Sequence, residues 1–396
     1  MRIGIDARFY GPIGKGLGRY TQKLIEGLEE IDKENTYSIF LRKSNWNEYK
    51  PARSNFKKVL ADYGWYTLEE QLMMPFAIVR EKVDLMHFPH FNVPVLWRGR
   101  FVVTIHDLIL LGFPTRRATT LGPWKYKIKE AGYRIVISQA IKGSQKIITV
   151  SNYTKEELIK YFKVTPSKII VTYEGHDILS SRDKNSNFQR LGSIISDKKQ
   201  NEAKNKVLFK KYGIIKPYLL YVGNAYPHKN LEGLLYAFKE FKEKKKSDSQ
   251  LVLVGKEDYF FERLKKEAEN MGLIKEGDVI FTGFITDEEL DCLYKGALLY
   301  IFPSFYEGFG LPPLEAMTRG IPVVSSYATC LKEVLGEAAY YFNPYKKEDM
   351  IKAIEKVIEN RQLREKLVRK GLEQVKKFSW KKMARETIEI YKEVVE

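Results

Sequence analysis

The stretch Pro303-Ser304-Phe305-Tyr306-Glu307-Gly308-Phe309-Gly310-Leu311-Pro312-Pro313-Leu314-Glu315-Ala316-Met317 decides how this chain is read. It follows the apolar run Leu299–Phe302, a strand candidate, and leads into a helix, so it is a loop at the carboxyl end of a strand. Two glutamates stand in it. Glu307 is in the glycine-rich part, and Glu315 is one to two turns into the helix. Ionised carboxylates only accept hydrogen bonds, so a pair facing one ligand suits the reading of several hydroxyls. Gly308 and Gly310 let backbone N–H groups approach the same ligand. The apolar neighbours Phe309, Leu311, Leu314 and Met317 argue against two acids simply solvated on an open loop.

Working outward, the same strand–helix alternation fills the chain twice. In the second half, strand candidates are Tyr218–Val222, Leu251–Val254, Val279–Thr282, Leu299–Phe302, Pro322–Ser325 and Ala339–Phe342. Helical stretches at Leu231–Lys245, Phe260–Met271, Asp287–Lys295 and Glu348–Glu359 separate them. In the first half, Ile3–Ile5, Tyr37–Leu41, Leu85–Phe88, Phe101–Ile105, Ile147–Val150 and Ile169–Thr172 are strand candidates, and Leu24, Ile25, Leu28 and Ile31 share one helical face. Short apolar strands alternating with amphipathic helices predict an α/β fold whose parallel sheets are covered on both faces. The reading is two Rossmann-like doubly wound domains, at 1–179 and 213–378. A polar, breaker-rich insertion or linker at 180–212 divides them, and a last helix occupies 379–396. In that helix Met383, Ala384, Thr387, Ile388, Tyr391, Val394 and Val395 form one stripe, which packs either on the second domain or back on the first. Ligands of such sheets bind at strand carboxyl ends, and with two sheets the expected site is a cleft between them.

At 396 residues the chain exceeds one ordinary core. Apolar residues at 44% and charged residues at 30% exclude a disordered chain, and 27 glycines and 15 prolines exclude a collagen-like one. The formal charge of +17 favours anionic partners, or is only a solubilised surface. Cys292 and Cys330 cannot make a disulfide framework, and no Cys/His run has zinc spacing. Asp6 interrupts any signal-peptide apolar region, and no run approaches the ~18 apolar residues of a spanning helix. These features predict a cytoplasmic protein whose membrane contact, if any, is peripheral on the inner face.

Three further stretches carry chemistry. Gly14-Lys15-Gly16-Leu17-Gly18-Arg19 lies between the first strand and first helix, where backbone and helix N-terminus attract an anion. It is not a dinucleotide fingerprint, because Arg19 stands where the third glycine belongs. On spacing alone it reads equally as a tight turn feeding a helix. Thr104-Ile105-His106-Asp107 ends a β-forming run, which places His106 at a strand's carboxyl end. Val222-Gly223-Asn224-Ala225-Tyr226-Pro227-His228-Lys229-Asn230 sets a lysine before the helix near Leu231. A cation there opposes the helix macrodipole unless an anion sits between them.

Taken together, these motifs resemble the retaining nucleotide-sugar glycosyltransferases of family 4, which have the GT-B architecture. The two glutamates within E-G-F-G-L-P-P-L-E-A-M, the loop Gly14 to Arg19, His106, Val222-Gly223 through Lys229-Asn230 and Ser151-Asn152-Tyr153-Thr154 fall in the family's order. The resemblance covers the chain except for roughly 180–210. It implies that Glu315 binds the ribose and that Glu307, with the amides of Phe309 and Gly310, binds the donor sugar. Gly308 and Leu311 belong to the same donor loop. It implies that Lys229 neutralises the diphosphate and that His106 contacts the sugar near the reacting carbon. Gly16 would let its loop close over the phosphates, Gly283, Phe284 and Ile285 would border the base, and the last helix would cross to the first domain. One departure stands out: many members carry arginine where this chain has Asn224, which supplies no charge. His228, a group elsewhere, or Lys229 alone would compensate.

The expected reaction is therefore transfer of a hexose, mannose favoured over the UDP-hexoses, with retention of configuration. The donor is a nucleotide sugar such as GDP-mannose, and the acceptor is a glycan or lipid-linked glycan. No D-x-D pair occurs, so neither a metal nor another cofactor is expected. Aromatic and basic residues mix at Trp97-Arg98-Gly99-Arg100 and at Leu121 to Lys129, which suits anionic lipid headgroups or an ordinary amphipathic helix. The rival readings are a nucleotide-sugar epimerase or a phosphorylase on the same scaffold, and a basic nucleic-acid-binding protein. The last is disfavoured because the charge is spread without a recognition motif. Arg19 disfavours a NAD-dependent dehydrogenase.

Overall fold

The computed structural model describes residues 1–119, 122–176 and 207–396. The described chain forms two compact units. Met1–Gly175 and Phe378–Glu396 make unit 1, and His176–Lys377 makes unit 2. The chain thus changes unit between Gly175 and His176 and returns between Lys377 and Phe378. Most of the polar stretch read as an insertion, up to residue 206, lies outside the described residues.

Unit 1 holds β1 (Arg2–Asp6), β2 (Thr36–Leu41), β3 (Phe56–Leu60), β4 (Leu85–Phe88), β5 (Phe101–Ile105), β6 (Lys146–Thr149) and β7 (Ile169–Val171) in one sheet of order 3-2-1-4-5-6-7. Unit 2 holds β8 (Tyr218–Val222), β9 (Gln250–Val254), β10 (Val279–Gly283), β11 (Leu299–Phe302), β12 (Val323–Ser326) and β13 (Ala339–Phe342) in the order 10-9-8-11-12-13. Every strand pair is parallel. The reason lies in the sequence: central strands such as Phe101–Ile105 and Leu299–Phe302 are buried along their whole length, as strands covered on both faces must be.

The strand the sequence reading missed is β3. It carries Lys57 and Lys58 in Phe56-Lys57-Lys58-Val59-Leu60 and lies at the sheet edge, where charge is the usual protection against stray pairing. The helix Arg361–Val375 was missed for a similar reason, since its only buried residues are Leu367, Gly371, Gln374 and Val375.

The last helix, Trp380–Val395, lies on the first helix, Lys15–Ile31, within unit 1. Gly27 makes the close approach possible: a β-carbon there would stand 2.7 Å from the Ala384 Cβ. Tyr391 reaches the sheet and bonds His87 Nδ1 of β4 through its hydroxyl at 2.6 Å, while His87 Nε2 meets Thr104 Oγ1 of β5 at 2.9 Å. The chain therefore ends by completing the domain in which it began.

The strand orders locate the functional ends. Chain direction across the sheet reverses between β1 and β4 in unit 1 and between β8 and β11 in unit 2. Loops leaving such neighbours diverge to opposite faces and open a crevice at the carboxyl ends.

Candidate functional site

In unit 2 the loops after β8 and β11, the two strands at the reversal, carry Lys229 and Glu307. These residues are 78 positions apart in sequence, yet Lys229 Nζ donates to Glu307 Oε1 at 2.6 Å and to Oε2 at 2.9 Å. The side chains are 13% and 10% exposed, so the pair is largely withdrawn from water but still reachable. The ammonium also lies 5.7 Å from the centre of the Phe302 ring.

Backbone stitching explains the meeting. Phe305 N–H donates to the His228 carbonyl at 2.7 Å. Asn230, in the left-handed region with φ 57°, donates its side-chain amide to the Pro303 and Pro344 carbonyls at 3.1 and 3.2 Å. The loop of β8 is thus fastened to the loops of β11 and β13. From the other side, Glu307 N–H donates to Thr329 Oγ1 at 3.0 Å, and the Cys330 thiol donates to the Glu307 and Phe309 carbonyls at 3.3 Å each. Burial, and then Glu307, push that thiol's pKa up, so it stays a neutral donor. Thr329 and the contacts of Asn230 and Cys330 escaped the sequence reading, because each acts through a loop distant in sequence. The asparagine immediately before a helix was the one available signal.

Gly310, with φ 97°, precedes the helix Leu311–Thr318, and a β-carbon on it would stand 2.9 Å from Leu331. The backbone at Gly308, Phe309, Gly310 and Leu311 thus turns sharply into the helix that carries Glu315. Glu315 is buried, and its carboxylate accepts the Tyr294 hydroxyl at 3.3 Å. It does not share the Lys229 ammonium in the way Glu307 does. Gly283, with φ 70°, is the last residue of β10. Phe284 beside it is exposed, whereas the Ile285 side chain is buried, which leaves Ile285 only its backbone to offer a ligand.

The structure narrows the question raised by Asn224. Its side-chain oxygen accepts from Tyr226 N–H at 3.3 Å, and its carbonyl accepts the Tyr221 hydroxyl at 2.8 Å. His228 is no substitute for arginine, because burial, with Lys229 next, lowers its pKa from 6.5 to about 2. A neutral imidazole supplies no cation, which leaves Lys229 as the charge of this loop.

In unit 1, His106 at the end of β5 is held on three sides. Its Nε2 meets the Pro89 carbonyl at 2.9 Å, its Nδ1 meets Glu174 Oε1 at 3.4 Å, and the Tyr20 ring stands edge-on at 4.5 Å. A carbonyl oxygen only accepts, so Nε2 carries a hydrogen. The histidine's carbonyl accepts the Thr154 hydroxyl at 3.1 Å, which gives the Ser151–Thr154 segment a structural task. Of the three glycines in the stretch Gly14 to Arg19, Gly14 and Gly18 are packing positions: a β-carbon would stand 2.0 Å from the carbonyl oxygens of Phe9 and Gly11, respectively. Gly16 has open space around it in the first turn of its helix.

Comparison with known proteins agrees with the two-sheet fold. The family model described as Glycosyltransferase Family 4 matches residues 14–178, and that described as Glycosyl transferases group 1 matches residues 202–374. The O-antigen chain mannosyltransferase B of Escherichia coli is 26% identical over 95% of this chain and 96% of its own length. Among solved structures, the sucrose-phosphate synthase of Thermosynechococcus elongatus superposes with a TM-score of 0.73 at 18% identity, covering 100% of this chain and 99% of that one. HepE of Anabaena, solved in complex with UDP-glucose, gives 0.69 at 16% identity, covering 99% and 100%.

Proposed function

Since this chain belongs to the family 4 glycosyltransferases and has their two-domain GT-B fold, we propose that it transfers mannose from GDP-mannose to a glycan or lipid-linked glycan with retention of configuration. The observation that carries the donor assignment is the Lys229–Glu307 pair at the strand reversal of unit 2. The choice of mannose rests on the likeness to the E. coli mannosyltransferase.

In this reading the bond between the sugar's anomeric carbon and the diphosphate oxygen breaks, and its electron pair leaves with the phosphate. Lys229 faces that developing negative charge. A preorganised cation in a partly dry site is the largest single contribution such a loop offers to the transition state. Glu307 accepts from sugar hydroxyls and holds Lys229 in place, so it is not a glycosidase nucleophile. Glu315, steadied by Tyr294, binds the ribose. Gly283, Phe284 and Ile285 border the base, and in the family's pattern Gly16 and His106 are donor-contacting residues. The acceptor hydroxyl attacks the face the diphosphate leaves, and its proton passes to a phosphate oxygen. No metal is required, because Lys229 supplies the charge.

Docking on an anionic membrane brings a lipid-linked acceptor within reach. Among the described residues no helix is long and apolar enough to cross a membrane. The helix Pro123–Gly143 exposes Trp124 and Ile128 among Lys125, Lys127 and Lys129, a mixture suited to a headgroup layer.

A thermal-shift screen against GDP, UDP, ADP and their sugars tests the donor. Stabilisation by GDP and GDP-mannose, with an α-linked product by NMR, is the expected result. Selective stabilisation by another nucleotide, or a product of inverted configuration, would refute the reading. Co-sedimentation with anionic vesicles at low and high salt tests the docking, and no binding at low salt removes it.

A further inference from the structure

The loop between β3 and the helix Leu68–Glu81 carries two adjacent aromatic residues with opposite fates. Trp65 is used within unit 1. It stacks on Phe9 with ring centres 4.4 Å apart and planes 5° from parallel, and the Arg42 guanidinium lies 5.1 Å from its centre. Tyr66 is instead 61% exposed, and its φ of 61° is in the left-handed region that favours glycine. An aromatic residue held there is strained, and such strain persists only where its surroundings overdetermine it.

The surroundings do so here. Tyr66 N–H donates to Glu70 Oε2 at 2.8 Å. Glu70 is fully buried, and its Oε1 accepts from Arg8 Nη2 at 2.5 Å and from Asn92 Nδ2 at 2.7 Å. Arg8, also fully buried, makes two further bonds to Asp6 at 2.8 and 2.7 Å. Removing these charges from water is expensive even when they are paired. The product of this investment is a strained backbone that turns a large ring towards solvent, which core packing does not explain.

The ring also stands where ligands of this fold bind. Phe9 follows β1, while His90 and Phe91 follow β4, the two strands at the reversal in unit 1. Tyr66 is edge-on to His90 at 6.2 Å and lies 6.3 Å from Phe91. His90 Nδ1 accepts from Asn92 N–H at 3.3 Å, so its hydrogen is on Nε2, where no bond to another described residue takes it. Arg8 is fully buried and neutralised by two acids, and the Arg42 guanidinium lies over Trp65 with Asp62 3.9 Å from its Nε. An aromatic face beside one neutral N–H donor suits an uncharged saccharide, not a phosphate.

We propose that Tyr66 and His90 form the platform for the acceptor glycan, a pyranose laying its C–H face on the Tyr66 ring and a hydroxyl accepting from His90 Nε2. The Arg8–Asp6–Glu70 cluster positions the ring. The idea deepens the glycosyltransferase reading and rests on it for the name of the ligand. Tyr66→Gly removes the ring while relieving the strained φ, so the protein keeps or raises its melting temperature. Tyr66→Phe keeps the face.

The test uses α-linked mannotriose and the full-length protein, with binding read by saturation-transfer NMR and transfer read from GDP-mannose. Expected results are a clear signal for wild type and Tyr66→Phe, its loss in Tyr66→Gly, and an acceptor KM about tenfold higher in Tyr66→Gly. No signal with wild type, equal signals from wild type and Tyr66→Gly, or equal losses in Tyr66→Phe and Tyr66→Gly would overturn the platform. Binding through Tyr66 without transfer from any nucleotide sugar would sink the proposed enzyme and leave the platform. Transfer with an unchanged KM in Tyr66→Gly would do the reverse.

Discussion

Replacing Glu307 by glutamine separates two demands made on the Lys229 ammonium. Without a ligand, both carboxylate oxygens hold it, at 2.6 and 2.9 Å. An arriving diphosphate must compete with that carboxylate. A hydrogen bond to a charged partner is worth ~1.5–3 kcal/mol, and a neutral amide oxygen returns ~0.5–1.5. Removing the charge therefore releases ~1 kcal/mol of competition, so nucleoside diphosphate should bind about five- to tenfold more tightly in Glu307→Gln. Turnover moves the other way, because an ammonium no longer anchored, beside a sugar no longer held, loses the preorganised geometry. A fall of ~10²–10³ in kcat is expected, the scale for loss of one such electrostatic contact. Lys229→Met supplies the contrast: nucleotide binding weakens, and kcat falls further. Titration calorimetry with GDP and UDP, paired with single-turnover transfer, reads both effects. Weaker nucleotide binding in Glu307→Gln, or kcat within threefold of wild type, would refute the competition argument.

Other consequences follow from single contacts. Gly18→Ala should lower the melting temperature sharply, because its β-carbon would stand 2.0 Å from the Gly11 oxygen, whereas Gly16→Ala, in open space, should leave it unchanged. Equal melting temperatures would show that the glycines are equivalent. Tyr294→Phe removes the hydroxyl that steadies Glu315 and should weaken nucleotide binding about threefold to tenfold, as one lost hydrogen bond does; unchanged affinity would detach Glu315 from the ribose. Burial, with His106 next, lowers the His87 pKa from 6.5 to about 3. Below pH 6.5 the unfolded chain takes up a proton that the folded chain refuses, so this contribution is fully present above pH 6.5 and is lost as pH falls towards 3, at up to ~1.4 kcal/mol per pH unit. Urea melts from pH 7 to pH 5 should have a shallower pH slope in His87→Gln, and an identical slope would exclude His87 as a contributor.

The parts legible in the sequence were those written in local periodicity. Apolar runs of strand length alternating with helical stripes gave both doubly wound sheets, and glycine and proline marked the loops at their carboxyl ends. Glu307, Lys229 and His106 could be picked out because each lies just beyond the end of a strand, and Glu315 because it lies in the helix that the Glu307 loop leads into. The edge strand β3 was hidden because its lysines answer to solvent and not to a core.

What each selected residue touches was decided elsewhere. Lys229 meets Glu307 because β8 lies beside β11, with β9 and β10 on its other side, and strand order is not a local property. The same holds for Asn230 reaching Pro303 and Pro344, for His106 against Glu174, and for Arg8 against Glu70. The sequence by itself determined which elements form and where their loops lie, because hydrophobic burial and backbone sterics act over a few residues. Only the tertiary structure decided which charges pair and which ring is left in solvent, because hydrogen bonds and ion pairs act over a few ångströms, whatever the separation along the chain.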